Sequence, residues 1–304
     1  MRVSRVSCVA TEVRVSVERA PRVIPPPREL RQVGPLVVVD GDCAYFHDGR
    51  SATTAFALPG HLSGDEYQRA MDLGMRRSGT VVYRPLCDGC RRCQPLRVPV
   101  RGYALSRSQR RVKKRVDGLF SVDIGRPKVT PEHLALYARY QADQHGEHAQ
   151  AADEKSYRRF LIETVTETIE LTWRDKAGTL VGVGILDVTP SAVSSVYFYW
   201  EPAHRKLSLG LYSALTEIEL ARMWGKTWYY LGYLVAGSST MSYKADFSGA
   251  EVWDGVEWVK LPARGLTDDE TRATLDRAEE RAKGVDTARF KLSSARVLPV
   301  ANEG

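Results

Sequence analysis

The chain has 304 residues, enough for two domains of ordinary size, and 43% of them are hydrophobic, which excludes a disordered protein. Its net charge of +7 favours polyanionic partners such as nucleic acid or an anionic membrane surface. There is no apolar run of the ~20 residues that a membrane helix needs, no signal-peptide pattern, and five cysteines are not typical of a secreted disulfide framework. We therefore expect a soluble cytoplasmic protein without a membrane partner.

The first part of the chain changes character near residue 35. Residues 1–34 are rich in Arg and Pro, and the prolines at 25–27 predict an extension without regular structure. Two short strands are predicted next, in "PLVVVD" and "SATTAFAL". A helix is predicted to start at Ser63, because Glu66 follows three residues later in the pattern of a capping box.

The second part has clearer signals. Thr130, Pro131 and Glu132 predict a helix start, because they combine an N-cap, a first-turn proline and an acid that matches the helix dipole. The pattern then predicts a short helix in "SYRRFLIETV", a hairpin in "TIELTWRDKAGTLVGVGILDVT" and a strand in "SSVYFYW". A helix in "LYSALTEIELARMWG" ends at Gly225, and a strand and a hairpin with the turn "DG" follow. Residues 265–304 predict a charged helical tail.

Three of the five cysteines lie within seven residues, in "CDGCRRC", at Cys87, Cys90 and Cys93. Tetrahedral coordination needs four ligands, and Cys43 is the candidate for the fourth. Thiolates suit zinc or an iron–sulfur cluster. The two arginines between the cysteines are expected to lower the thiol pKa values, which favours ligation or redox chemistry. The alternative is a set of small side chains that fill a loop.

Two basic segments predict contacts with an anion. "SRSQRRVKKR" holds six cations in ten residues, and we favour contact with a nucleic-acid backbone over a merely solvated surface. "HRKLSLGLY" places two cations before a helix, where free N–H groups and the helix dipole attract anions. This loop feeds a helix after the third strand of the second part, which is the layout of an N-acetyltransferase-like domain.

Several segments together resemble one known family. "MRRSGTVVYRPLCDGCRRCQPLRVPV", "YALSRSQRRVKKR", "HRKLSLGLY", "YYLGY" and "MSYKADF" are similar, in this order, to the aminoacyl-tRNA–protein transferases of the N-degron pathway. The family includes bacterial aspartate/glutamate leucyltransferases and the arginyltransferases. The resemblance covers roughly residues 37–261. It implies an α+β fold of two N-acetyltransferase-like (GNAT-type) halves, residues 35–128 and 129–264, between the N-terminal extension and the tail.

The resemblance also implies an activity. The donor is a charged aminoacyl-tRNA, and the acceptor is a protein with N-terminal Asp or Glu, which the transfer marks for degradation. No cofactor is required for transfer, although the N-terminal cysteines of eukaryotic members bind zinc or an iron–sulfur cluster. Cys43, Cys87, Cys90 and Cys93 are the matching candidates. The paired cysteines of the family's first motif are represented here only by Cys43 with Phe46.

The chemistry assigns roles to residue types. The donor is an activated ester and the nucleophile is a free amine, so the enzyme must hold both, relay one proton and stabilise an oxyanion. The candidates for catalysis are Tyr212, Tyr233, Tyr243 and Lys244. Arginine suits an acidic acceptor residue, and the candidates are Arg76, Arg77 and Arg84. The candidates for tRNA binding are Arg107, Arg110, Arg111, Lys113, Lys114, Arg205, Lys206, Ser208 and Gly210.

Other functions stay open at this point. The chain could be a coenzyme A-dependent N-acetyltransferase, a peptidoglycan-type aminoacyl transferase or a non-catalytic cysteine-rich RNA-binding protein. Within the transferase family, the sequence leaves open whether leucine or arginine is transferred.

Overall fold

The structure is a computed structural model that describes residues 21–46, 48–87, 89–238, 240–262, 273, 277 and 296–297. Within them the fold is mixed α and β, with two sheets. The strands of the first sheet are β1 (Arg22–Ile24), β2 (Leu36–Asp42), β3 (Ser51–Ala57), β4 (Arg76–Ser78), β5 (Val81–Pro85) and β14 (Arg296–Val297). The strands of the second are β6 (Cys93–Pro99), β7 (Ser121–Gly125), β8 (Thr168–Arg174), β9 (Leu180–Val188), β10 (Ala192–Trp200), β11 (Trp228–Val235), β12 (Glu251–Trp253) and β13 (Trp258–Lys260).

The helices pack around these sheets. The α-helices are α1 (Gly64–Asp72), α2 (Arg107–Val116), α3 (Pro131–His145), α4 (Glu154–Tyr157) and α5 (Leu209–Met223). A π-helical turn (Arg158–Ile162) follows α4, and the 3₁₀ helices are Arg28–Val33, Gly146–His148, Pro202–Leu207 and Ser242–Asp246. None of the helices in the described ranges is long and apolar enough to span a membrane.

Most predicted elements are present. The Ser63–Glu66 capping box starts α1, and the Thr130 hydroxyl caps α3 with Pro131 in its first turn. The two predicted hairpins are β8–β9 and β12–β13. Gly225, with φ of +66°, ends α5 as predicted, because a left-handed residue there is cheapest as glycine. The predicted helix in "SYRRFLIETV" is α4 plus the π-helical turn.

The predicted N-terminal extension is wrong for residues 21–34. This segment forms β1 and a 3₁₀ helix, and Ile24, Leu30 and Val33 are buried in the core beneath the first sheet. Pro25 and Pro26 lie between these two elements, so the prolines direct the chain instead of preventing structure. Residues 1–20 and most of the predicted tail lie outside the described residues, although β14 pairs with β1.

The division between the sheets also differs from the prediction. β6 and β7, both before residue 128, belong to the second sheet, where β6 lies between β12 and β11. The chain therefore leaves the first sheet between Pro85 and Cys93, within the cysteine loop. A sequence pattern cannot show this, because it gives the existence of a strand but not its partner.

A buried ion pair joins the two sheets. The Arg77 guanidinium donates to both carboxylate oxygens of Asp187, at 2.8 and 2.6 Å, and both side chains are fully buried. Arg77 also donates to the main-chain oxygen of Gly79 at 3.0 Å. A Cβ at Gly79 would lie 2.4 Å from the carbonyl oxygen of Arg159, so glycine permits this close approach. Removing one partner of such a pair is strongly destabilising, because a buried charge is left uncompensated.

The second sheet opens between two of its strands. β10 and β11 run parallel and pair only from Ala192–Trp228 to Ser194–Tyr230, and an irregularity between Ser195 and Tyr197 bends β10 after that point. Beyond it the two strands have no paired residues with each other. We call this gap the strand opening. Helix α3 packs on the sheet face that carries Ile185 and helix α5 on the opposite face.

Candidate active site

Three loops meet at the ends of β5, β6 and β11. They are formed by the described residues of the ranges 43–50, 86–92 and 236–241. The Arg92 guanidinium donates to the main-chain oxygen of Ala236 at 3.4 Å and lies 5.8 Å from the ring centroid of Phe46. Gly237 has φ of +86°, and a Cβ there would lie 3.0 Å from the Arg92 guanidinium. The cysteine loop is thus held against the end of β11.

The four predicted cysteines lie in one part of the molecule. All are free and partly buried, and the Sγ atom of Cys87 accepts a hydrogen bond from the Thr53 N–H at 3.4 Å. Burial raises the pKa of both the Cys87 and the Cys93 thiols, and the neighbouring thiols raise them further. The predicted lowering of thiol pKa values by adjacent arginines is therefore overridden at these two positions by burial.

The thiols do not form an assembled metal site. Soft thiolates are the donors that zinc and iron–sulfur clusters use. Among the described residues, however, no three His, Cys, Asp or Glu side chains are grouped closely enough to hold a metal ion. A small cleft opens here and is lined by Arg84, Cys87, Cys90, Arg91, Cys93 and Trp253. The cysteine thiols are suitable donors for zinc or an iron–sulfur cluster, but they are not arranged as metal ligands. No step of the proposed chemistry therefore uses a metal.

The three predicted acceptor arginines have different surroundings. All are about 4% exposed, but Arg77 is fully engaged by Asp187, which favours a structural role for it. Arg84 donates to the Leu73 carbonyl at 3.1 Å and lines the cleft. Arg76 donates to the carbonyl of Met75 at 2.7 Å, and its Nε has no hydrogen-bond partner among the described residues. Arg76 and Arg84 are therefore the better candidates for reading a carboxylate.

Lys244 and Tyr233 lie beside Arg76. The Arg76 guanidinium is 5.8 Å from the Tyr233 ring centroid, and the buried Lys244 ammonium donates to the Tyr233 carbonyl at 3.0 Å. Burial, with a further effect of the Arg76 charge, lowers the pKa of Lys244 to about 8. The Tyr233 hydroxyl lies 3.4 Å from the main-chain oxygen of Tyr83 and 3.5 Å from that of Gly74. Because its hydroxyl already contacts these main-chain oxygens, Tyr233 is a weaker candidate for the proton relay.

Tyr212 lies elsewhere, where α2 meets α5. Its hydroxyl donates to the Asp117 carboxylate at 2.9 Å, and its ring packs near Val112, Val116 and Leu209. Burial raises the pKa of Tyr212 to about 12. The structure thus places Tyr212 beside the predicted tRNA surface and away from the cysteine loop.

The predicted basic run is α2, with a buried side formed by Gln109, Val112 and Val116. The exposed cations on its outer side are Arg107, Arg110, Arg111, Lys114 and Arg115. Lys113 differs, because its ammonium lies 3.1 Å from the Asp117 carboxylate and 3.4 Å from that of Glu219.

The predicted anion loop lies beside α2. The Arg115 guanidinium reaches the Leu207 carbonyl at 3.3 Å and the Ser208 hydroxyl at 3.4 Å. Ser208 precedes α5 with φ of +59°, an uncommon conformation outside glycine. Lys206 is exposed, whereas Arg205 is paired with Asp143 at 2.5 Å. The α2 cations and the start of α5 therefore form one basic surface, which we call the α2–α5 surface.

Sequence reasoning missed several residues of these sites. Tyr45 and Tyr83 lie near Tyr233 and Cys93, and burial raises the pKa of both hydroxyls, that of Tyr83 to about 12. Arg115 lies in the predicted basic run but was not among the predicted tRNA-binding residues. Its contact with Ser208 shows that it belongs to the same surface. A Cβ at Gly210 would lie 3.7 Å from the Trp200 ring, an ordinary contact, so packing at the start of α5 does not require glycine there.

Comparison with known proteins identifies the family. The family "Arginine-tRNA-protein transferase, N terminus" matches residues 41–111, and "Arginine-tRNA-protein transferase, C terminus" matches residues 132–254. The chain belongs to the aminoacyl-tRNA–protein transferases. It is therefore an acyltransferase that takes its aminoacyl group from tRNA and transfers it to protein, as the resemblance in the sequence predicted.

Named relatives agree with this family. An aspartate/glutamate leucyltransferase of Halorhodospira halophila is 38% identical over 71% of this chain and 92% of its own length. One of Alkalilimnicola ehrlichii is 36% identical over 76% of this chain and 97% of its own length. The likeness to solved structures is weak: FemX shares 10% identity, with a TM-score of 0.38 over 70% of this chain and 83% of that one.

Proposed function

We propose that this transferase moves leucine from leucyl-tRNA to the α-amine of proteins that begin with Asp or Glu. The aspartate/glutamate leucyltransferase relatives support both the donor and the acceptor. Charged tRNA is a cytoplasmic donor, so we place the reaction in the cytoplasm, where the product would be marked for degradation. No cofactor takes part in the transfer.

One observation carries the acceptor assignment: Arg76 and Lys244 are both buried, and neither forms an ion pair within the described residues. Two like charges held close in a poorly solvated place repel each other. A bound carboxylate would relieve this repulsion and would satisfy the Nε atom of Arg76. Arg84 supplies a third cation at the wall of the cleft. Such a site selects an acidic first residue by charge.

The α2–α5 surface is the proposed tRNA contact. Its exposed arginines and lysines would bind the phosphate backbone, which positions the tRNA without reading its bases. Arg115 and Ser208 bring this surface to the start of α5, next to the strand opening. The aminoacyl end would enter the opening. Tyr243 is partly buried in the 3₁₀ helix Ser242–Asp246, which packs against β11, and would serve proton transfer, and Lys244 would stabilise the oxyanion.

The GNAT-type description is part of this proposal for residues 129–264. A bent strand that separates from its parallel neighbour, followed by a loop and helix, supports it for the second sheet. The first sheet is entirely antiparallel in its described pairs, so we do not extend the description to it.

The test is a transfer assay with matched peptides. Two peptides begin with Asp or with Asn and are otherwise identical, because Asn keeps the shape of Asp and removes its charge. Each is incubated with leucyl-tRNA or with arginyl-tRNA, and product mass is measured. We expect the mass increase of one leucine on the Asp peptide alone. Arginine transfer would replace the donor assignment, and equal use of both peptides would contradict the acceptor site.

The assay also tests the two functions that the sequence alone left open, acetyl transfer from coenzyme A and RNA binding without catalysis. An acetyltransferase would acetylate the peptide with acetyl-coenzyme A and without tRNA. A non-catalytic RNA-binding protein would bind tRNA and modify neither peptide. The same mass measurement separates both outcomes from leucine transfer.

A further inference from the structure

Two aromatic rings lie side by side on β10, beyond the point where this strand separates from β11. The Phe198 and Trp200 rings are nearly parallel, with 18° between their planes and 5.7 Å between their centroids. The pairing of β10 with β11 ends at Ser194, so both rings belong to the open part of the strand. Both side chains are partly exposed. We call Phe198 and Trp200 the β10 ring pair, and together they offer a flat apolar surface at the strand opening.

Glycines lie next to both members of the ring pair. A Cβ at Gly182 of β9 would lie 3.3 Å from Cζ of Phe198, and one at Gly184 would lie 3.6 Å from its Cδ2. At the start of α5, a Cβ at Gly210 would lie 3.7 and 3.8 Å from Cζ3 and Cη2 of Trp200. At these three positions the rings therefore face main chain that carries no side chain.

Neither backbone conformation nor packing requires the glycine at position 210. It lies in the first turn of α5, its φ is not in the left-handed region, and 3.7 Å is an ordinary contact. Glycine inside a helix is less stable than alanine, because it loses more conformational freedom on folding. A longer side chain at this position would extend along the Trp200 ring and cover part of it. Glycine therefore keeps this part of the ring open, although it lowers the stability of the helix.

The ring pair adjoins the α2–α5 surface. Both rings pack against an apolar cluster between α2 and α5, which consists of Val112, Val116 and Leu209. The exposed cations lie on the outer side of the same helix α2, and Arg115 contacts Ser208, two residues before Gly210. From the α3 side, the Tyr140 ring meets the Trp200 ring edge-on, with centroids 4.7 Å apart, and holds it in place. Cations that suit phosphates and rings that suit bases are therefore neighbours.

We propose that Trp200, with Phe198 beside it, stacks with the terminal adenine of the aminoacyl-tRNA. This inference rests on the proposed function. The 3′ end of a tRNA is single-stranded, and the ribose of its last nucleotide carries the aminoacyl ester. Proteins bind unpaired nucleotides with aromatic side chains beside a positively charged groove, because every base has a flat π-face. A stacked adenine would hold the ester-bearing ribose at the strand opening, and Gly210 keeps the Trp200 ring accessible to it.

The experiment compares two RNAs that differ in one base. Each is a hairpin with the acceptor stem of a leucine tRNA and an unpaired 3′ end, whose last nucleotide is either adenosine or an abasic ribose. Fluorescence anisotropy gives the affinity of the full-length protein for each RNA. We expect Trp200→Leu to bind the adenosine RNA about tenfold more weakly than the parent does, which is within the range for a stacked base, and to bind the abasic RNA equally well. The salt dependence should stay the same, because no cation is removed.

Two further variants separate stacking from a structural effect. Gly210→Leu covers the Trp200 ring from α5 and should weaken binding of the adenosine RNA as Trp200→Leu does. It should not lower the Tm, because leucine favours a helix more than glycine does. Trp224 is 39% exposed at the other end of α5, so Trp224→Leu is the matched control and should leave both affinities unchanged.

Two outcomes would overturn the inference. The first is an equal loss of affinity for both RNAs in Trp200→Leu and Gly210→Leu, and the second is a preference for the adenosine RNA that neither variant reduces. If Trp200→Leu fails to fold, Gly210→Leu decides between these outcomes alone. A parent enzyme that binds the RNAs but transfers no leucine contradicts the proposed function instead, and the comparison of affinities still tests the stacking.

Discussion

The α2–α5 surface leads to a quantitative prediction about tRNA binding. Arg107, Arg110, Arg111 and Lys114 are exposed on α2, and among the described residues none of the four pairs with an acid. If each contacts one phosphate, replacing all four with Ala removes four released counterions. The slope of log affinity against log salt should then become shallower by about 3, since each phosphate contributes about 0.7–0.9.

The assay is tRNA binding by fluorescence anisotropy between low and moderate salt. Arg28 and Arg31 are exposed on the first sheet's 3₁₀ helix, so Arg28→Ala/Arg31→Ala is compared with Arg107→Ala/Arg111→Ala. The control should leave the slope nearly unchanged, while the α2 pair should reduce it by about 1.5. Equal slopes for the two double variants would refute the phosphate contact and make α2 a solvated surface.

Three further predictions concern the interior. Arg84→Ala should raise the KM for Asp-initiated peptides by about 10- to 100-fold without changing tRNA affinity, because a hydrogen bond to a charged group contributes about 1.5–3 kcal/mol. Arg77→Ala should instead lower the free energy of unfolding in urea by about 3–5 kcal/mol. The reverse pattern would exchange the roles of the two arginines. Lys244 is neutral in the folded protein above its lowered pKa of about 8 but binds a proton in the unfolded chain up to about 10.5, so stability should rise with pH across this interval by about 3 kcal/mol, and Lys244→Met should flatten that rise. Elemental analysis should find no stoichiometric zinc or iron, because the four thiols are not grouped as a metal site, and Cys93→Ser should keep the transfer activity; about one metal ion per chain that Cys93→Ser releases would show instead that the cysteines ligate it.

The local parts of this fold could be predicted because they depend on neighbours in sequence. The Ser63 cap, the Thr130 cap and the glycine that ends α5 are decided within a few residues, and all three are present. Sequence reasoning identified Arg76 and Lys244 as separate candidates but could not predict that they lie together, because the two residues are 168 positions apart in the chain.

The remaining differences come from long-range pairing. Arg77 looked like a ligand-binding arginine until Asp187, 110 residues away, was found to occupy its guanidinium. Residues 21–34 looked disordered because the three prolines dominate the local pattern, while the buried positions of Ile24 and Leu30 depend on β2 and α1. Glu217 lies on α5, and the hydrogen bond that its carboxyl accepts from the Tyr229 hydroxyl at 2.7 Å joins α5 to β11, which a helix pattern cannot show.

The crossing of β6 into the second sheet has a practical consequence for dividing the protein. A cut at residue 128 would leave β6 and β7 in the first fragment, without β11, β12 and β8, their neighbours in the sheet. The second fragment would expose a matching edge on β11, so both pieces would carry unpaired backbone that promotes aggregation. The two halves that the family profiles recognise are therefore not interchangeable modules: grafting the amino-terminal half of a relative onto this chain would require the β6–β11 contacts to be carried over as well.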